Sequence, residues 1–493
     1  MKTEKIFENI PILDTIGTSS LEISSITCDS RECIKGSLFV AIPGFEADGH
    51  TFIGKAAENG AVAVAYQDIA YSGKIKELGL TGFLLQDTRS SLSPLADNFF
   101  RHPSREINLV GITGTNGKTT IATLLFRLFS RMGYGCGLLS TIANYIGDTV
   151  FPTTNTTQNP IAINSLLRKM VDMGCQYCFM EVSSHSLHQN RVSGLNFRGA
   201  VFTNITHDHL DYHKTFTEYI RCKKMLFDML PQGAFAIINA DDRNGTIMVQ
   251  NTASDVYFYS ATRKADFNVK MLEKNIDGSL LELDGRQVWT RFIGAHNAYN
   301  IAAVYGVARM LGADRDETLR LISSLESVSG RLEYINGGDD LTAVIDYAHT
   351  PDALENVLKT LKDISDGRTL MSVFGCGGNR DKTKRPEMAA IGAKYSDRLI
   401  ITSDNPRFEK PEEIIEDMKS GLSPAEKSRT LFITDRKEAI RTALMTAPEG
   451  SIILIAGKGH EDYQIVNGVK SHFDDKEVVR EYFAGINPQQ MKQ

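Results

Sequence analysis

From Ile107 onward, short apolar segments alternate with segments of helical pattern, and no other feature of the sequence restricts the fold as strongly. The apolar segments INLVGIT, GYGCGLLS, CQYCFMEV, RGAVFTNI and GAFAIIN are interrupted by helical stretches at residues 119–132 and 159–173. Strands that alternate with helices usually pair in parallel, and each helix then crosses over one face of the sheet. The sequence therefore predicts a largely parallel α/β domain in residues 106–330.

The same alternation returns in residues 331–493, where LTAVIDYA, RTLMSVFG, DRLIITSD, RTLFITD and GSIILIAG are separated by helical segments. We expect a separate, doubly wound domain of Rossmann type there. Residues 1–105 hold the strand-like pieces SLFVAI, AVAVAY and GFLLQD, a helical stretch at 51–59 and the polar linker RHPSRE at 101–106. Because one hydrophobic core rarely exceeds about 250 to 300 residues, the sequence predicts three α/β domains, the first of them small.

Composition and charge narrow the class of protein. The net charge is -6 and the pI about 6.0, so there is no electrostatic reason to expect a nucleic-acid partner. The N-terminus does not resemble a signal peptide and no apolar run reaches about 18 residues, which predicts a cytoplasmic protein without a membrane segment. The 7 cysteines are scattered, and we interpret them as free thiols, since the lone CxxC of Cys175 and Cys178 has no second pair to complete a zinc site.

The segment GITGTNGKTT, residues 111–120, joins an apolar strand to a helix through a glycine-rich turn. Backbone N–H groups in such a turn bind phosphates at the helix N-terminus, Lys118 can reach the terminal phosphates, and the Thr119 hydroxyl can ligate Mg²⁺. The usual P-loop pattern has glycine where this chain has Ile112, so the segment is a variant, and an accidental glycine-rich turn is the alternative. The predicted loop residues are Gly114, Thr115, Asn116, Gly117, Lys118, Thr119 and Thr120.

Two further strand ends carry polar side chains, Glu181 in MEVSSHSL and His209 in TNITHDHLDYH. Ligands of an open parallel sheet bind outside the carboxyl ends of its strands, so both side chains should lie on the same side as the phosphate loop. A carboxylate and an imidazole in that place are candidate metal ligands. For either residue alone, a satisfied polar group at a strand end is the alternative.

The motifs TGTNGKT, EVSSHxL, TNxxxDHLDYH, GxHNxxN, SGRxE, DYAHTPDxLE, GGNRDxxKRP, SDNPR and AGKGHExYQ together resemble those of the Mur ligases. The resemblance runs from Asp29 to the AGKGHE motif at Ala456 and so spans almost the whole chain. Within that family, the motifs are similar to those of the ligases that add the third peptide residue to a cell-wall precursor. The resemblance implies a central ATPase domain of P-loop type and an ATP-dependent acid–amino-acid ligase of peptidoglycan synthesis, with roles in cell shape, cell division and the cell cycle.

The resemblance also implies the reaction. ATP phosphorylates the side-chain carboxylate of D-glutamate in UDP-N-acetylmuramoyl-L-alanyl-D-glutamate, and the amine of the incoming amino acid attacks the acyl phosphate, while Mg²⁺ neutralises charge. EYIRCKKMLF places Lys223 at a position that the family carbamylates, and a carbamate could hold a second Mg²⁺. The adjacent Lys224 leaves this register open. The implied catalytic residues are Lys118, Glu181, His209 and Lys223, and the implied metal ligands are Thr119, Glu181, His209 and carbamylated Lys223.

The resemblance assigns further residues to the two larger substrates. Those implied to contact the nucleotide, besides the loop, are His296, Asn297, Arg331 and Asp346. The segment DSRECIKGSLFVAIPGFEADGH matches the uridine-diphosphate region, and NTTQNP lies in a region that holds the muramoyl peptide. The implied contacts of the UDP-muramoyl dipeptide are Ser30, Asn155, Thr156, Thr157, Ser183, Arg191 and His349. Gln158 departs from the usual continuation of the NTT motif.

The third domain bears on which amino acid is added. GCGGNRD, TSDNPR and AGKGHE each follow an apolar strand, so they should converge on one edge of that sheet. Arg380 and Arg407 offer planar, bidentate donors for a carboxylate, which meso-diaminopimelate has at its far end and lysine lacks. In the family, DNPR accompanies meso-diaminopimelate. The predicted amino-acid site contains Arg380, Asp404, Asn405, Pro406, Arg407, Gly457 and Glu461.

Several alternatives stay open at this point. The same reaction with L-lysine is one, and folylpolyglutamate synthesis, which uses a similar loop and acyl-phosphate chemistry, is a more remote one. A P-loop switch protein and a non-catalytic UDP-sugar-binding module come from other functional classes. For the ligase, we expect a monomer that binds Mg²⁺, ATP, the UDP-muramoyl dipeptide and the amino acid.

Overall fold

The computed structural model of the chain describes residues 1–44, 47–153, 155–337 and 341–486. These residues form three large sheets with helices packed against them, and a short separate hairpin. This arrangement confirms the predicted three-domain α/β fold, whereas the predicted boundaries at 105 and 330 remain predictions. Parts of the predicted segments lie outside the described residues, namely 45 and 46 of the uridine-diphosphate motif and 338–340 and 487–493 of the third domain.

The N-terminal sheet confirms the three predicted strands of this region. Its strands are β1 (Asp14–Ile16), β2 (Ser25–Thr27), β3 (Ser37–Val40), β4 (Ala61–Tyr66) and β5 (Thr81–Leu84). Its helices are α1 (Thr3–Ile6), α2 (Ile53–Glu58), α3 (Ser72–Glu77) and α4 (Thr88–Phe99), with 3-10 turns at Ser30–Glu32, Gly49–Phe52, Ile69–Tyr71 and Pro103–Arg105. The strand order is β1-β5-β4-β3-β2, and only β1 is antiparallel to its neighbour. The predicted linker at 101–106 thus contains the last of the 3-10 turns.

The central domain is built on a long sheet. Its strands are β6 (Asn108–Thr113), β7 (Cys136–Leu139), β8 (Asn144–Ile146), β9 (Thr149–Phe151), β10 (Tyr177–Glu181), β11 (Gly199–Phe202), β12 (Phe235–Asn239), β13 (Asp255–Ser260), β14 (Phe267–Asn275), β15 (Gly278–Leu283) and β16 (Arg286–Thr290). Its helices are α5 (Lys118–Arg131), α6 (Pro160–Asp172), α7 (Ser184–His188), α8 (Leu210–His213), α9 (Phe216–Asp228), α10 (Gly245–Met248), α11 (Ala295–Met310) and α12 (Arg315–Ser324). The strand order is β16-β15-β14-β13-β12-β11-β6-β10-β7-β8-β9.

Strand β6 lies in the middle of this sheet, between β10 and β11, and is parallel to both. Leu109 and Val110, which are consecutive residues of β6, belong to different buried clusters, because successive side chains of a strand point to opposite faces of the sheet. One cluster contains α5 and α11, and the other contains α6 and α9. The chain continues from β6 to strands on either side of it, which makes the end of β6 a topological switch point.

Both edges of the central sheet are antiparallel, which the sequence analysis did not predict. Strands β14, β15 and β16 form a meander at one edge, and β8 and β9 extend the other. Asp284 and Gly285 connect β15 to β16 with φ values of 49° and 73°. An Asp-Gly pair with two positive φ angles is the signature of a two-residue hairpin turn, so the signal was present in the sequence.

The C-terminal sheet confirms all five predicted strands of the third region. Its strands are β17 (Glu333–Asn336), β18 (Thr342–Asp346), β19 (Leu370–Phe374), β20 (Arg398–Ile401), β21 (Thr430–Phe432) and β22 (Ile452–Ala456), and the hairpin is β23 (Tyr463–Val466) and β24 (Val469–His472). Its helices are α13 (Pro351–Ile364), α14 (Lys384–Tyr395), α15 (Pro411–Lys419), α16 (Pro424–Ser428), α17 (Arg436–Thr446) and α18 (Asp475–Ile486). The strand order is β17-β18-β22-β19-β20-β21, parallel except for β17.

A buried ion pair lies at the carboxyl ends of two strands of this sheet, β20 and β22. The Arg436 guanidinium contacts the Asp475 carboxylate at 2.7 and 2.8 Å, and neither side chain is exposed. Arg436 also donates to the carbonyl oxygens of Ser403 and Ala456, which follow β20 and end β22. The two strand ends that lead into TSDNPR and AGKGHE are therefore fixed relative to each other.

No helix among the described residues has both the length and the apolar character needed to span a bilayer.

Candidate active site

The turn between β6 and α5 has a backbone that only glycine tolerates at two positions. Gly114 and Gly117 have φ values of 153° and 87°. A Cβ on Gly114 would lie 1.7 Å from Thr203 Oγ1, and one on Gly117 would lie 2.6 Å from Asn300 Oδ1. Gly117 also provides no side-chain cap for α5, so the first N–H groups of this helix remain available for an anion.

Lys118 lies over the turn that it follows. Its Nζ donates to the carbonyl oxygens of Gly114 and Thr115, each at 2.9 Å. Burial lowers the pKa of this lysine, and nearby Glu181 and Asp208 oppose that effect. The position of the amine agrees with the predicted role of a group that reaches phosphates held by the turn.

Glu181 is fully buried at the end of β10, directly beside the turn. Its Oε2 accepts from Thr119 Oγ1 at 2.9 Å, and its Oε1 accepts from the backbone N–H of Thr141 at 2.8 Å. This contact arises because β10 pairs with β6, so the ends of the two strands are adjacent. A carboxylate and a hydroxyl are thus held together next to the phosphate-binding turn.

These two oxygen ligands are suited to Mg²⁺, which is commonly bound by one or two carboxylates together with substrate phosphates and water. The described residues contain no group of three or more His, Cys, Asp and Glu side chains placed to hold a metal ion. Of the predicted metal ligands, Thr119 and Glu181 are the pair that a direct hydrogen bond joins. The hydrogen bonds of the Glu181 carboxylate go to Thr119 and Thr141, and the predicted ligand His209 is not among these partners.

Lys223 on α9 reaches the same turn from the opposite side. Its side chain is buried, its Nζ donates to the Gly114 carbonyl at 2.8 Å, and it lies 4.6 Å from the Tyr219 ring centre. Burial, and then repulsion from Lys118, lower its pKa well below the usual value. Lys224 instead pairs with Asp228 on the same helix, so the lysine that faces the loop is Lys223.

His209 begins α8 in a left-handed conformation, with φ of 54°. Its ring lies 4.8 Å from the ring of His185, and its Nε2 lies 3.3 Å from Asp208. Partial loss of hydration in the cleft lowers the pKa of His209 to about 4, although Asp208 raises it and 44% of the side chain remains exposed. At neutral pH the imidazole is therefore uncharged and has a nitrogen lone pair.

A first cavity of about 340 Å³ lies between the central and C-terminal domains. Its lining includes the predicted nucleotide residues Asn116, Gly117, Thr120, His296, Asn297, Arg331 and Asp346. Asp346 accepts from the backbone N–H groups of Leu332 and Ala348, each at 2.8 Å, and burial raises its pKa. Arg331 donates to Thr119 Oγ1 at 3.3 Å. The two domains therefore meet at the end of the phosphate loop.

A second cavity of about 440 Å³ also has walls from both domains. The predicted residues in its lining are Lys118, Asn155, Thr156, Thr157, Ser183, Arg191, His209, His349, Arg380, Asp404, Asn405, Arg407, Gly457 and Glu461. The predicted acceptor and amino-acid residues thus face one space, which the phosphate-reaching lysine also enters. Pro406 does not line it, and its carbonyl oxygen would lie 2.0 Å from a Cβ on Gly378.

The acceptor side of this cavity is hydrogen-bonded to the backbone at the end of β10, where Glu181 lies. Thr157 Oγ1 donates to the backbone carbonyl of Glu181 at 2.9 Å and accepts from the N–H of Ser183 at 3.1 Å. Arg191 donates to the Thr157 carbonyl at 2.6 Å. The NTT segment is therefore fixed relative to the metal-ligand pair.

Arg407 forms the other side of the cavity. Its φ is 55°, and its guanidinium donates to the Gly378 carbonyl at 2.8 Å. A Cβ on Gly377 would lie 2.8 Å from the same guanidinium nitrogen, so the glycines of GCGGN allow its approach. Arg380 also lines the cavity and is exposed. Two arginines from different loops therefore line the cavity, and either could pair with a carboxylate there.

A third cavity of about 830 Å³ lies between the N-terminal domain and α6 of the central domain. Its lining includes Ser30 with its neighbours Asp29 and Arg31, Asn159 just before α6, and Ile161 in α6. Asn59 donates to the Ser30 carbonyl at 2.8 Å and holds this turn. The predicted uridine-diphosphate region therefore borders a cavity of its own.

Sequence reasoning missed several residues that shape the site. Asn204 Oδ1 accepts from the N–H of Asn116 at 2.9 Å, and Asp352 accepts from Asn116 Nδ2 at 3.0 Å. Lys458 lies fully buried behind the second cavity and contacts Asn405. Asn204 could have been found from its position after an apolar strand, whereas the contacts of Asp352 and Lys458 depend on tertiary structure.

Comparisons with known proteins agree with this geometry. Family models match residues 22–99 (Mur ligase family, catalytic domain), residues 112–308 (Mur ligase middle domain) and residues 330–459 (Mur ligase, glutamate ligase domain). A protein of Parabacteroides distasonis named UDP-N-acetylmuramoyl-L-alanyl-D-glutamate--2,6-diaminopimelate ligase is 50% identical over 95% of this chain and 96% of its own length. A protein of the same name from Phocaeicola vulgatus is 50% identical over 98% and 100%. A solved structure of a ligase with that name has a TM-score of 0.70 and 32% identity, and covers 99% of each chain.

Proposed function

The chain belongs to the Mur ligase family, and we propose that it joins meso-diaminopimelate to the D-glutamate side-chain carboxylate of UDP-N-acetylmuramoyl-L-alanyl-D-glutamate. Relatives at 50% identity over nearly the full length carry the name of a 2,6-diaminopimelate ligase with this acceptor. One observation carries the proposal within the structure. Lys118, the predicted acceptor residues and two arginines line the same cavity.

In the proposed reaction, an oxygen of the acceptor carboxylate attacks the γ-phosphorus of ATP, the bond to ADP breaks, and an acyl phosphate forms. The amine nitrogen of the amino acid, after losing its proton, attacks the acyl carbon, and phosphate leaves. A carboxylate is a poor electrophile and an acyl phosphate a good one, so the first step makes the second possible. The protein contributes mainly by positioning the reactants and neutralising charge.

The chain offers separate groups for each part of this chemistry. The turn before α5 and Lys118 hold the phosphates, and the first cavity accommodates the rest of the nucleotide. Thr119 and Glu181 supply hydroxyl and carboxylate oxygens for Mg²⁺, which neutralises phosphate charge when bound. We further propose that Lys223 carries a carbamate, because burial lowers the pKa of this amine and so favours the neutral form, which is the form that reacts with carbon dioxide. The uncharged imidazole of His209 is the remaining proposed metal ligand.

The amino-acid end of the cavity favours diaminopimelate over lysine. Arg407 and Arg380 can pair with the far carboxylate of diaminopimelate, whereas the lysine side chain would place an ammonium there. A folylpolyglutamate synthetase is disfavoured by the cavity at Ser30, which suits a UDP-sugar, and by the names of the relatives. We place the enzyme in the cytoplasm as a monomer in the synthesis of peptidoglycan, with consequences for cell shape and division.

Mass-spectrometric product analysis tests the proposal. Purified protein receives ATP, Mg²⁺, the UDP-muramoyl dipeptide and an equimolar mixture of meso-diaminopimelate and L-lysine. The expected product is the diaminopimelate tripeptide, with ADP and phosphate released only when the acceptor is present. ATP cleavage at full rate without the acceptor, and no new amide with every substrate present, would contradict the proposal and favour a P-loop switch. A lysine tripeptide as the main product would correct the amino acid alone.

A further inference from the structure

Lys458 lies directly behind the amino-acid end of the second cavity, and its side chain is completely buried. Its Nζ lies 2.5 Å from the Tyr463 carbonyl oxygen, 3.3 Å from Asn405 Oδ1 and 3.5 Å from Glu461 Oε2. An ammonium group has three N–H donors and no acceptor. Each donor of Lys458 therefore has one acceptor, and two of the three acceptors belong to side chains that line the cavity.

These contacts determine which atoms Asn405 presents. Its Oδ1 accepts from Lys458 and from the backbone N–H of Ile465 at 3.0 Å, and its Nδ2 donates to Glu461 Oε2 at 2.8 Å. The opposite amide orientation would place an NH₂ group against two donors, so it is excluded. Asn405 keeps one further N–H, which is available to a ligand in the cavity that this residue lines.

The same ammonium acts on Glu461. Oε2 of this carboxylate accepts from Asn405 and Lys458, while Oε1 lies 3.4 Å from the Tyr347 hydroxyl and borders the cavity. Burial and the neighbouring Asp404 raise the pKa of Glu461, and the opposing effects of Lys458 and Asn405 offset only part of that rise. The buried cation therefore favours an anionic Glu461, and an anionic carboxylate is the acceptor that an ammonium group requires.

Building on the proposed function, we propose that Lys458 is a positioning residue for amino-acid specificity. It holds Asn405 as a donor and Glu461 as an acceptor, so that the pair recognises a carbon atom that carries both a carboxylate and an ammonium group. The far end of diaminopimelate has such a carbon. The far end of lysine has an ammonium group alone and would leave the Asn405 N–H and the Arg407 guanidinium without a carboxylate to bind, which a site built for hydrogen bonding rejects strongly.

The test compares Lys458→Met, which keeps the length of the side chain but removes the ammonium, with the wild-type protein. We expect KM for diaminopimelate to rise about tenfold or more, as for the loss of a charge-assisted hydrogen-bond network, and KM for ATP and for the acceptor to change less than about twofold. The preference for diaminopimelate over lysine should fall by a similar factor. Lys470→Met is the matched control, because Lys470 is exposed on the neighbouring hairpin and lies 3.8 Å from the Tyr463 ring centre; it should leave all three KM values unchanged.

The pH profile separates positioning from a general structural effect. The charged and titratable groups that act on Glu461 or lie beside it are Asp404, Lys458, Arg436, Tyr347 and Tyr463. Removing Lys458 takes away a cation that lowers the pKa of Glu461, so in Lys458→Met the KM for diaminopimelate should rise further as the pH falls. Lys458→Arg, which retains the charge, should recover most of the wild-type selectivity.

Three results would overturn the inference. One is an unchanged KM for diaminopimelate in folded Lys458→Met, and another is an equal rise of KM for all three substrates. The third is failure of both Lys458→Met and the uncharged Lys458→Gln to fold, as judged by circular dichroism, since the lysine would then serve the fold rather than specificity. A wild-type protein that does not ligate diaminopimelate would instead refute the proposed function, so the two failures are distinguishable.

Discussion

The phosphate loop and the amino-acid recess are built in different ways. The loop is a continuous segment between β6 and α5, and its shape follows from two glycines with positive φ and from the helix that begins directly after it. The recess combines three loops that follow β19, β20 and β22, and its recognition groups depend on partners such as Lys458 and the Arg436–Asp475 pair. A local feature tolerates changes elsewhere in the chain, whereas an assembled one can be lost through a residue that never touches the substrate.

The largest expected effect tests the local region. Lys118→Ala should lower kcat about 10³-fold with either diaminopimelate or lysine, because a cation directed at the transferring phosphate is lost. Steady-state assays of phosphate release with each amino acid measure it. A loss confined to one amino acid would show that the two regions are not separate in function.

A second variant pair tests the proposed carbamylation of Lys223. Lys223→Ala should lower kcat about 10²-fold, since the variant can neither form a carbamate nor contact the Gly114 carbonyl. Lys224→Ala is the matched control and should retain nearly full activity, because that lysine pairs with Asp228. Equal losses for both variants would contradict the assignment, and a mass gain of one carbon dioxide on a peptide containing Lys223 would support it.

The third prediction addresses the recess. Arg407→Ala should raise KM for diaminopimelate about 10- to 100-fold, as expected for about 1.5 to 3 kcal/mol from a hydrogen bond to a charged group. KM for ATP should stay within about twofold, because ATP is bound by the other region. Comparable rises for both substrates would end the assignment of this arginine to amino-acid binding.

The smallest effect concerns the contact between the phosphate loop and helix α13 of the C-terminal domain. Asp352 of α13 accepts from Asn116 Nδ2 at 3.0 Å and from Thr206 Oγ1 at 3.3 Å. Asp352→Ala removes both contacts, and the loss of about 1 kcal/mol from the hydrogen bond to Asn116 of the loop should raise KM for ATP about fivefold, with little change in KM for diaminopimelate. An unchanged KM for ATP would show that the loop holds its shape without the C-terminal domain.

The same contrast explains what the sequence could predict. Strands β6, β10 and β11, helix α5 and the glycine turn were predicted because apolar runs, turn glycines and helix starts are local signals. The β14–β16 meander was missed even though Asp284 and Gly285 mark a hairpin, because the alternation of strands and helices suggested only parallel pairing. The predicted site residues Arg407 and Glu461 lie in family motifs, and Lys458 lies in one too, but no local pattern indicates that its ammonium would reach Asn405, 53 residues away.

The second cavity draws its walls from the central and the C-terminal domains. The two parts that the new amide joins would therefore lie on different domains, and the tripeptide product would contact both domains at once. Release of the tripeptide then requires the two domains to move apart. Where the chemical steps are fast, this motion should limit turnover. Because solvent viscosity slows such a motion, an added viscogen should reduce kcat.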